Sequence, residues 1–190
     1  MQSVLQFLCV LTPKIIIFIM KKVILLAICF ACVVALNAKP KVTGSLDALK
    51  GAERVGLVLD FDKALYNGTA FQTFLNEQHL NAGDWKDIQY CDLYAAFIAG
   101  ANKEFGKRVV GIQDFIKAPI YISVEPMEMT STGSMKCGVY LHNADGAILG
   151  STIMDSKGGK QGAWSTLLGE GFNDLGERFA ETVLKMQSAK

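Results

Sequence analysis

The chain has 190 residues, with 19 Lys and Arg against 18 Asp and Glu, a net charge of +1. That balance excludes a strongly basic nucleic-acid binder and an acidic tail protein, so no nucleic-acid partner is expected. Residues 1–38 carry three basic side chains (Lys14, Lys21, Lys22) and no acidic one, which leaves 39–190 slightly acidic, of ordinary globular composition and long enough for one core.

The first 38 residues read as a leader. Met20-Lys21-Lys22, the uncharged run Val23 to Leu36 and then Asn37-Ala38-Lys39-Pro40 form the three parts of a secretory signal peptide, with Met20 as the expected true start. The run has fourteen residues, short of the about 20 that a spanning helix needs. Two processings stay open: cleavage after Ala38, or lipidation at Cys29 or Cys32, each of which follows an apolar stretch. Residues 39–190 are expected to form a single domain with no transmembrane span, exported to the periplasm or beyond the cell.

Along that domain, Lys39 to Lys50 reads as a polar, loosely ordered lead-in. Arg54 to Phe61 has the length and apolar content of a strand buried on both faces. Tyr66-Asn67-Gly68-Thr69 gives a turn and then a helix start, with Thr69 as N-cap and Gln72 completing a capping box, and this helix runs to about His79. A second helix starts at Asp84. Its apolar stripe, Ile88, Cys91, Ala95, Ile98, Ala101 and Phe105, recurs at spacings of 3 and 4 until Gly106-Lys107-Arg108 ends it.

Ala118 to Met129 alternates with period two, placing Ile120, Ile122 and Val124 on one face and Tyr121, Ser123 and Glu125 on a wet one. Turns at Thr130–Ser134 and Ala144–Gly146 separate it from strands over Met135–His142 and Ala147–Met154, an antiparallel meander. Met127, Met129, Met135 and Met154 fall on it and are expected to fill the core. Ser156 to Gly162 reads as a flexible loop. The chain closes in one long helix with Trp164, Leu168, Phe172, Leu175, Phe179, Val183 and Met186 on one face. Gly169, Gly171 and Gly176 predict a kink or a close approach there. The fold class is α+β, a mostly antiparallel sheet with helices on one face in the order β-α-α-β-β-β-α.

Of the five cysteines, Cys91 and Cys137 lie in the domain, and both are expected to face the core. An exported chain can join them in a disulfide; two buried free thiols are the alternative. No spacing among these two cysteines and the two histidines, His79 and His142, resembles a zinc site. Ser151, Ser156 and Ser165 have no histidine at a spacing that suggests a hydrolase triad. Gly158, Gly159 and Lys160 ahead of the last helix, with Trp164 in its first turn, are the candidate binding residues, by anion capture at the helix N-terminus or as a partner surface. The exposed edge of the meander is a second candidate surface, suited to strand addition.

Resemblances to known families frame the function. The apolar strand ending in Asp60-Phe61-Asp62 resembles the first motif of the haloacid dehalogenase phosphohydrolases, and Gly169 to Asp174 resembles their acidic metal-binding motif. This likeness implies Asp60 as nucleophile, Asp62 as general acid and base, and Asp174 as a Mg²⁺ ligand. Ala64 departs from the first motif, which has Thr or Val there. The other likeness covers most of the domain. The first strand with Asp60 near its end, the Asp84-Trp85 helix start, and the tail Gly158-Gly159-Lys160 with Leu167 to Phe172 are similar to a group of small secreted proteins of unknown function from Gram-negative bacteria. In element order the chain is also similar to the periplasmic domain of curli-assembly transport lipoproteins. These imply an exported cell-envelope protein, a non-catalytic binding or assembly module with no cofactor and a protein or envelope component as partner. The phosphohydrolase is the alternative.

Overall fold

A computed structural model describes residues 41–52, 54–106 and 118–188, all within one compact unit, Pro40–Lys190. The strands are β1 (Val42–Gly44), β2 (Gly56–Leu59), β3 (Leu65–Tyr66), β4 (Thr69–Ala70), β5 (Ile120–Met129), β6 (Met135–Asn143) and β7 (Ile148–Ser156). The helices are α1 (Phe71–Glu77), α2 (Ala82–Asp87), a π-helical segment (Ile88–Tyr94), α3 (Ala95–Phe105) and α4 (Trp164–Ser188). The class is α+β, as expected. One seven-stranded mixed sheet runs β1-β7-β6-β5-β3-β4, with β2 also on β5. None of the described helices is long and apolar enough to cross a membrane.

The meander forms because short turns join three alternating runs. β5 pairs antiparallel with β6, and β6 with β7. β2 instead lies parallel to β5, with Leu57 opposite Ile122 and Leu59 opposite Val124, since the helices between them return the chain to the same end. Helices and sheet share one core. Ile122, Val124, Cys137, Val139 and Leu141 from the sheet meet Phe97, Leu168, Phe172, Leu175 and Phe179 from the helices. Each fully buried side chain of this kind contributes about 1.5–3 kcal/mol. The other face of the sheet is polar and half-covered, with Ile148 and Ile153 exposed.

Several expectations are corrected. The lead-in is ordered from Val42: β1 pairs with β7 at Thr152, Ser151 and Gly150, and Leu46 and Leu49 are buried. The apolar positions at 42, 46 and 49 drive this, hidden among polar neighbours. The meander edge expected to be bare is therefore occupied by the chain's own β1 over those three positions. Thr69 does not cap a helix. Asn67 and Gly68 both have positive φ (49° and 81°), so the four residues close a tight hairpin in which Thr69 pairs with Tyr66, and α1 starts after it with no side-chain cap. Asp84 is not the first residue of its helix. Asn81 caps α2, accepting from the Gly83 and Asp84 N–H groups at 2.8 and 2.9 Å, while the Asp84 carboxylate accepts from Asn81 N–H.

The expected stripe holds at Ala101, which is buried, and at Ile88, Ile98 and Phe105, which pack partly buried against the core, but it fails at Cys91 and Ala95. Within α2 and the π segment the chain passes from α-helical turns of 3.6 residues to π turns closed by i to i+5 bonds. The wider turns shift the face there, so Leu93, Tyr94, Phe97 and Gly100 are buried and Cys91 and Ala95 are exposed. Cys137 sits in the core at 0% exposure while Cys91 is exposed, and both thiols are free in this structure. Met129, Met135 and Met154 fill the core as expected. Met127 does not, because a bulge between Pro126 and Glu128 turns it outward.

Candidate functional site

A concavity of about 510 Å³ lies where the first half of α4 meets α3 and the residues after β7. The two helices approach closely. A Cβ on Gly176 would collide with the Phe97 carbonyl, and one on Gly100 with the Asn173 carbonyl. Asn173 donates from Nδ2 to the Ala96 carbonyl at 3.1 Å, bracing α4 on α3. Of the three glycines expected to mark a kink or a close approach, Gly171 and Gly176 serve close approach, to the Gly133 and Phe97 carbonyls, Gly169 has only ordinary contact, and α4 runs unbroken from Trp164 to Ser188.

The rim is polar and fixed. Asp174 Oδ2 accepts from the Lys157 N–H at 2.8 Å and from Arg178 Nε at 2.6 Å. Lys103 Nζ bridges to Glu177 Oε1, and this hydrogen bond, with the Glu177 charge, holds the Lys103 ammonium above its ordinary pKa. Gly158 N–H donates to Ser134 Oγ at 3.1 Å. Glu170, Gly169 and Ala96 complete the lining.

The segment expected to be a flexible loop is consequently pinned at its start. Ser156 is still in β7 and buried; a Cβ on Gly158 would meet the Thr132 carbonyl and the Ser134 nitrogen of the β5–β6 turn. Gly159 is covered by the Glu170 carboxylate and the Leu167 side chain. An acidic group over that glycine opposes the anion-cradle reading of Gly158-Gly159-Lys160. Lys160 is exposed, and Trp164 is half-buried with its ring edge-on to Phe74 at 5.2 Å. Of the four candidate binding residues, only Gly158 lines the concavity.

The phosphohydrolase residues are not assembled. Asp60 follows β2, its N–H donating to the Val124 carbonyl at 2.9 Å, and its Oδ1 accepts from the Asp62 N–H at 2.9 Å in a local turn. Asp60 and Asp62, with Lys63, Glu125 and Pro126, line a separate depression of about 200 Å³ that does not include Asp174. Asp174 sits inside a helix, engaged by Lys157 and Arg178. Among the described residues no group of three or more His, Cys, Asp or Glu side chains is placed to hold a metal ion. The motif likeness fails here because it counts residues along the chain, whereas the antiparallel meander, unlike a doubly wound sheet, carries the second motif away from the first.

One pairing escaped sequence reading altogether. Ser123 Oγ lies 2.9 Å from His142 Nε2 on the open face of the sheet. The available signal was the period-two alternation of the two neighbouring strands, which puts both residues on the wet face once their register is known.

No protein-family model matches the chain, and no curated protein matches it. The likenesses to the small secreted proteins and to the curli-assembly lipoproteins therefore rest on sequence alone. Among solved structures the chain is similar to a PelC dodecamer from Paraburkholderia phytofirmans carrying one substitution, at 9% identity and a TM-score of 0.40 over 74% of this chain and 98% of that one. A second PelC dodecamer from the same organism gives 9% identity and a TM-score of 0.40, over 74% and 96%. An uncharacterized protein gives 14% identity and a TM-score of 0.32, over 46% and 61%.

Proposed function

We propose that the chain is an exported, non-catalytic binding module of the cell envelope, periplasmic or extracellular, cleaved after Ala38 or lipidated at Cys29 or Cys32, with 39–190 as its single domain. Its partner is a protein or another envelope component, held at the α4 concavity with Gly158 on the wall and Gly159, Lys160 and Trp164 on the flank. One observation carries this reading. The concavity is walled by charged groups already tied to the fold, Asp174 by the Lys157 N–H and Arg178, Glu177 by Lys103, so they present a fixed polar surface. Preorganised walls favour binding because little ordering remains to be done on contact.

The test is the intact mass of the protein from fractionated native cells, together with a phosphate-release assay. A mass of Lys39 to Lys190, or an acylated species beginning at Cys29 or Cys32, in an envelope or extracellular fraction is expected. Phosphate release should be at background with Mg²⁺ and unaltered by Asp60→Asn. A cytoplasmic chain that keeps its leader would overturn the export reading. Mg²⁺-dependent turnover lost in Asp60→Asn would overturn the binding-module reading in favour of the phosphohydrolase.

A further inference from the structure

The sheet face away from the helices brings together two side chains that the α4 concavity does not use. β5 and β6 pair Tyr121 with His142 and Ser123 with Tyr140. Ser123 and His142 are thus diagonal neighbours on one face, within reach of each other. Ser123 Oγ is 2.9 Å from His142 Nε2, and His142 Nδ1 is 3.1 Å from the Gly146 carbonyl oxygen in the β6–β7 turn. A carbonyl oxygen only accepts. Nδ1 therefore carries the ring proton, and Nε2 turns its lone pair toward the Ser123 hydroxyl.

The imidazole is also held in place. The Tyr121 ring stacks on it with centroids 4.5 Å apart and planes within 5°. A cation formed on that ring would face an aromatic π-surface on one side and a backbone carbonyl on another. Tyr140, the cross-strand partner of Ser123, lies over Gly138, where a Cβ would come within 2.7 Å of its ring. Ser123 itself is 7% exposed, which restricts access to small reagents. Hydroxyl, base and a third group that orients the base are the parts of an activated nucleophile.

We propose that Ser123 is a base-activated serine and that this face is a covalent acyl-acceptor site for small activated esters. Ser123 Oγ bonds to the ester carbonyl carbon while its proton passes to His142 Nε2. Collapse of the adduct breaks the bond to the leaving alkoxide or phenoxide, which takes that proton, and the acyl group stays on Ser123. No oxidation or reduction occurs. One acyl group per chain is transferred, so the reaction is compatible with a binding module and independent of the α4 concavity.

The experiment treats the full chain with p-nitrophenyl acetate and maps acetylated peptides by mass spectrometry. Acetyl-Ser123 is expected, formed about 100-fold more slowly in His142→Gln and at the native rate in Tyr140→Phe. Acetyl groups on lysines alone, or Ser123 labelled equally fast in His142→Gln, would overturn the proposal. If His142→Gln does not fold, the pH dependence of the native chain decides. A Ser123 rate that follows one ionisation to a plateau supports the assignment, and a rate that climbs in proportion to hydroxide sinks it.

Discussion

Gly169 and Gly176 lie two turns apart on α4 and should respond oppositely to a methyl group. At Gly169 the nearest outside atom to a Cβ is the Asp92 carbonyl at 3.8 Å, ordinary contact distance, so Gly169→Ala gains helix propensity without a clash and should stabilise by about 0.5–1 kcal/mol. At Gly176 the Cβ would run into the Phe97 carbonyl and lie 2.8 Å from the Ala101 nitrogen, and backbone cannot swing aside. There the propensity gain is outweighed, and Gly176→Ala should cost about 1–3 kcal/mol by overpacking. Urea midpoints of the two variants measure both signs, and equal shifts would refute this account of the helix contact. The two cysteines divide in the same way. Burial pushes the Cys137 thiol far above its ordinary pKa, and the thiolate is the reactive form, whereas Cys91 is exposed. In a folded chain prepared from Lys39 onward, a thiol reagent should titrate one cysteine promptly and the second only as the protein unfolds. Two prompt thiols would contradict the burial of Cys137.

The cap of α2 is the element-scale test. Asn81 accepts from two N–H groups of the first turn and Asp84 returns a bond to the Asn81 N–H, so Asn81→Ala should cost about 1 kcal/mol. Thr69→Ala, at the position where the sequence pattern suggests a cap, should not carry a cap's penalty, because Thr69 sits in a hairpin and α1 has no side-chain cap. Reversal of that order in chemical denaturation would restore the sequence reading. The contrast explains what was legible here. Capping boxes are local, but Asn67-Gly68 competes for the same residues, and a turn with two positive φ values decides the outcome before the helix can begin. The π segment hides for a related reason: its apolar residues fit a 3.6-residue period through Cys91, and only packing against α4 selects the wider turn that buries Leu93 and Tyr94 instead. At the other end of α4, the Lys185 ammonium 2.8 Å from Glu181 holds that carboxylate below its ordinary pKa. A depressed pKa stabilises the fold above the unfolded value, and the contribution is lost as pH falls through the folded one. Both side chains are largely exposed, so about 0.3–0.5 kcal/mol is at stake, and salt should reduce it.

For the whole molecule, the meander and the closing helix were readable because each is specified by an unbroken period along the chain. The two outer parts of the sheet were not. β1, β3 and β4 have three, two and two residues, too short for a period to register, and their places follow from pairings that no local pattern announces. The candidate site shared this limit: the glycines of α4 were visible, but the role of Asp174 depends on where Lys157 lands. Such short strands are informative because of where they lie. β1 covers Gly150, Ser151 and Thr152 of β7 and ends at Gly44, whose φ of +74° and close approach to the Leu149 carbonyl suit only glycine. Without it, β7 would present unpaired backbone groups along a nine-residue strand with Ile148 and Ile153 already exposed, the arrangement that recruits a further strand. A chain beginning at Ser45 should therefore associate with itself as concentration rises, read by sedimentation velocity, while the chain beginning at Lys39 keeps a constant sedimentation coefficient over the same range. If the shortened chain sediments as the longer one does, β1 is a passive attachment, and strand addition at β7 loses its physical basis as a route to self-assembly.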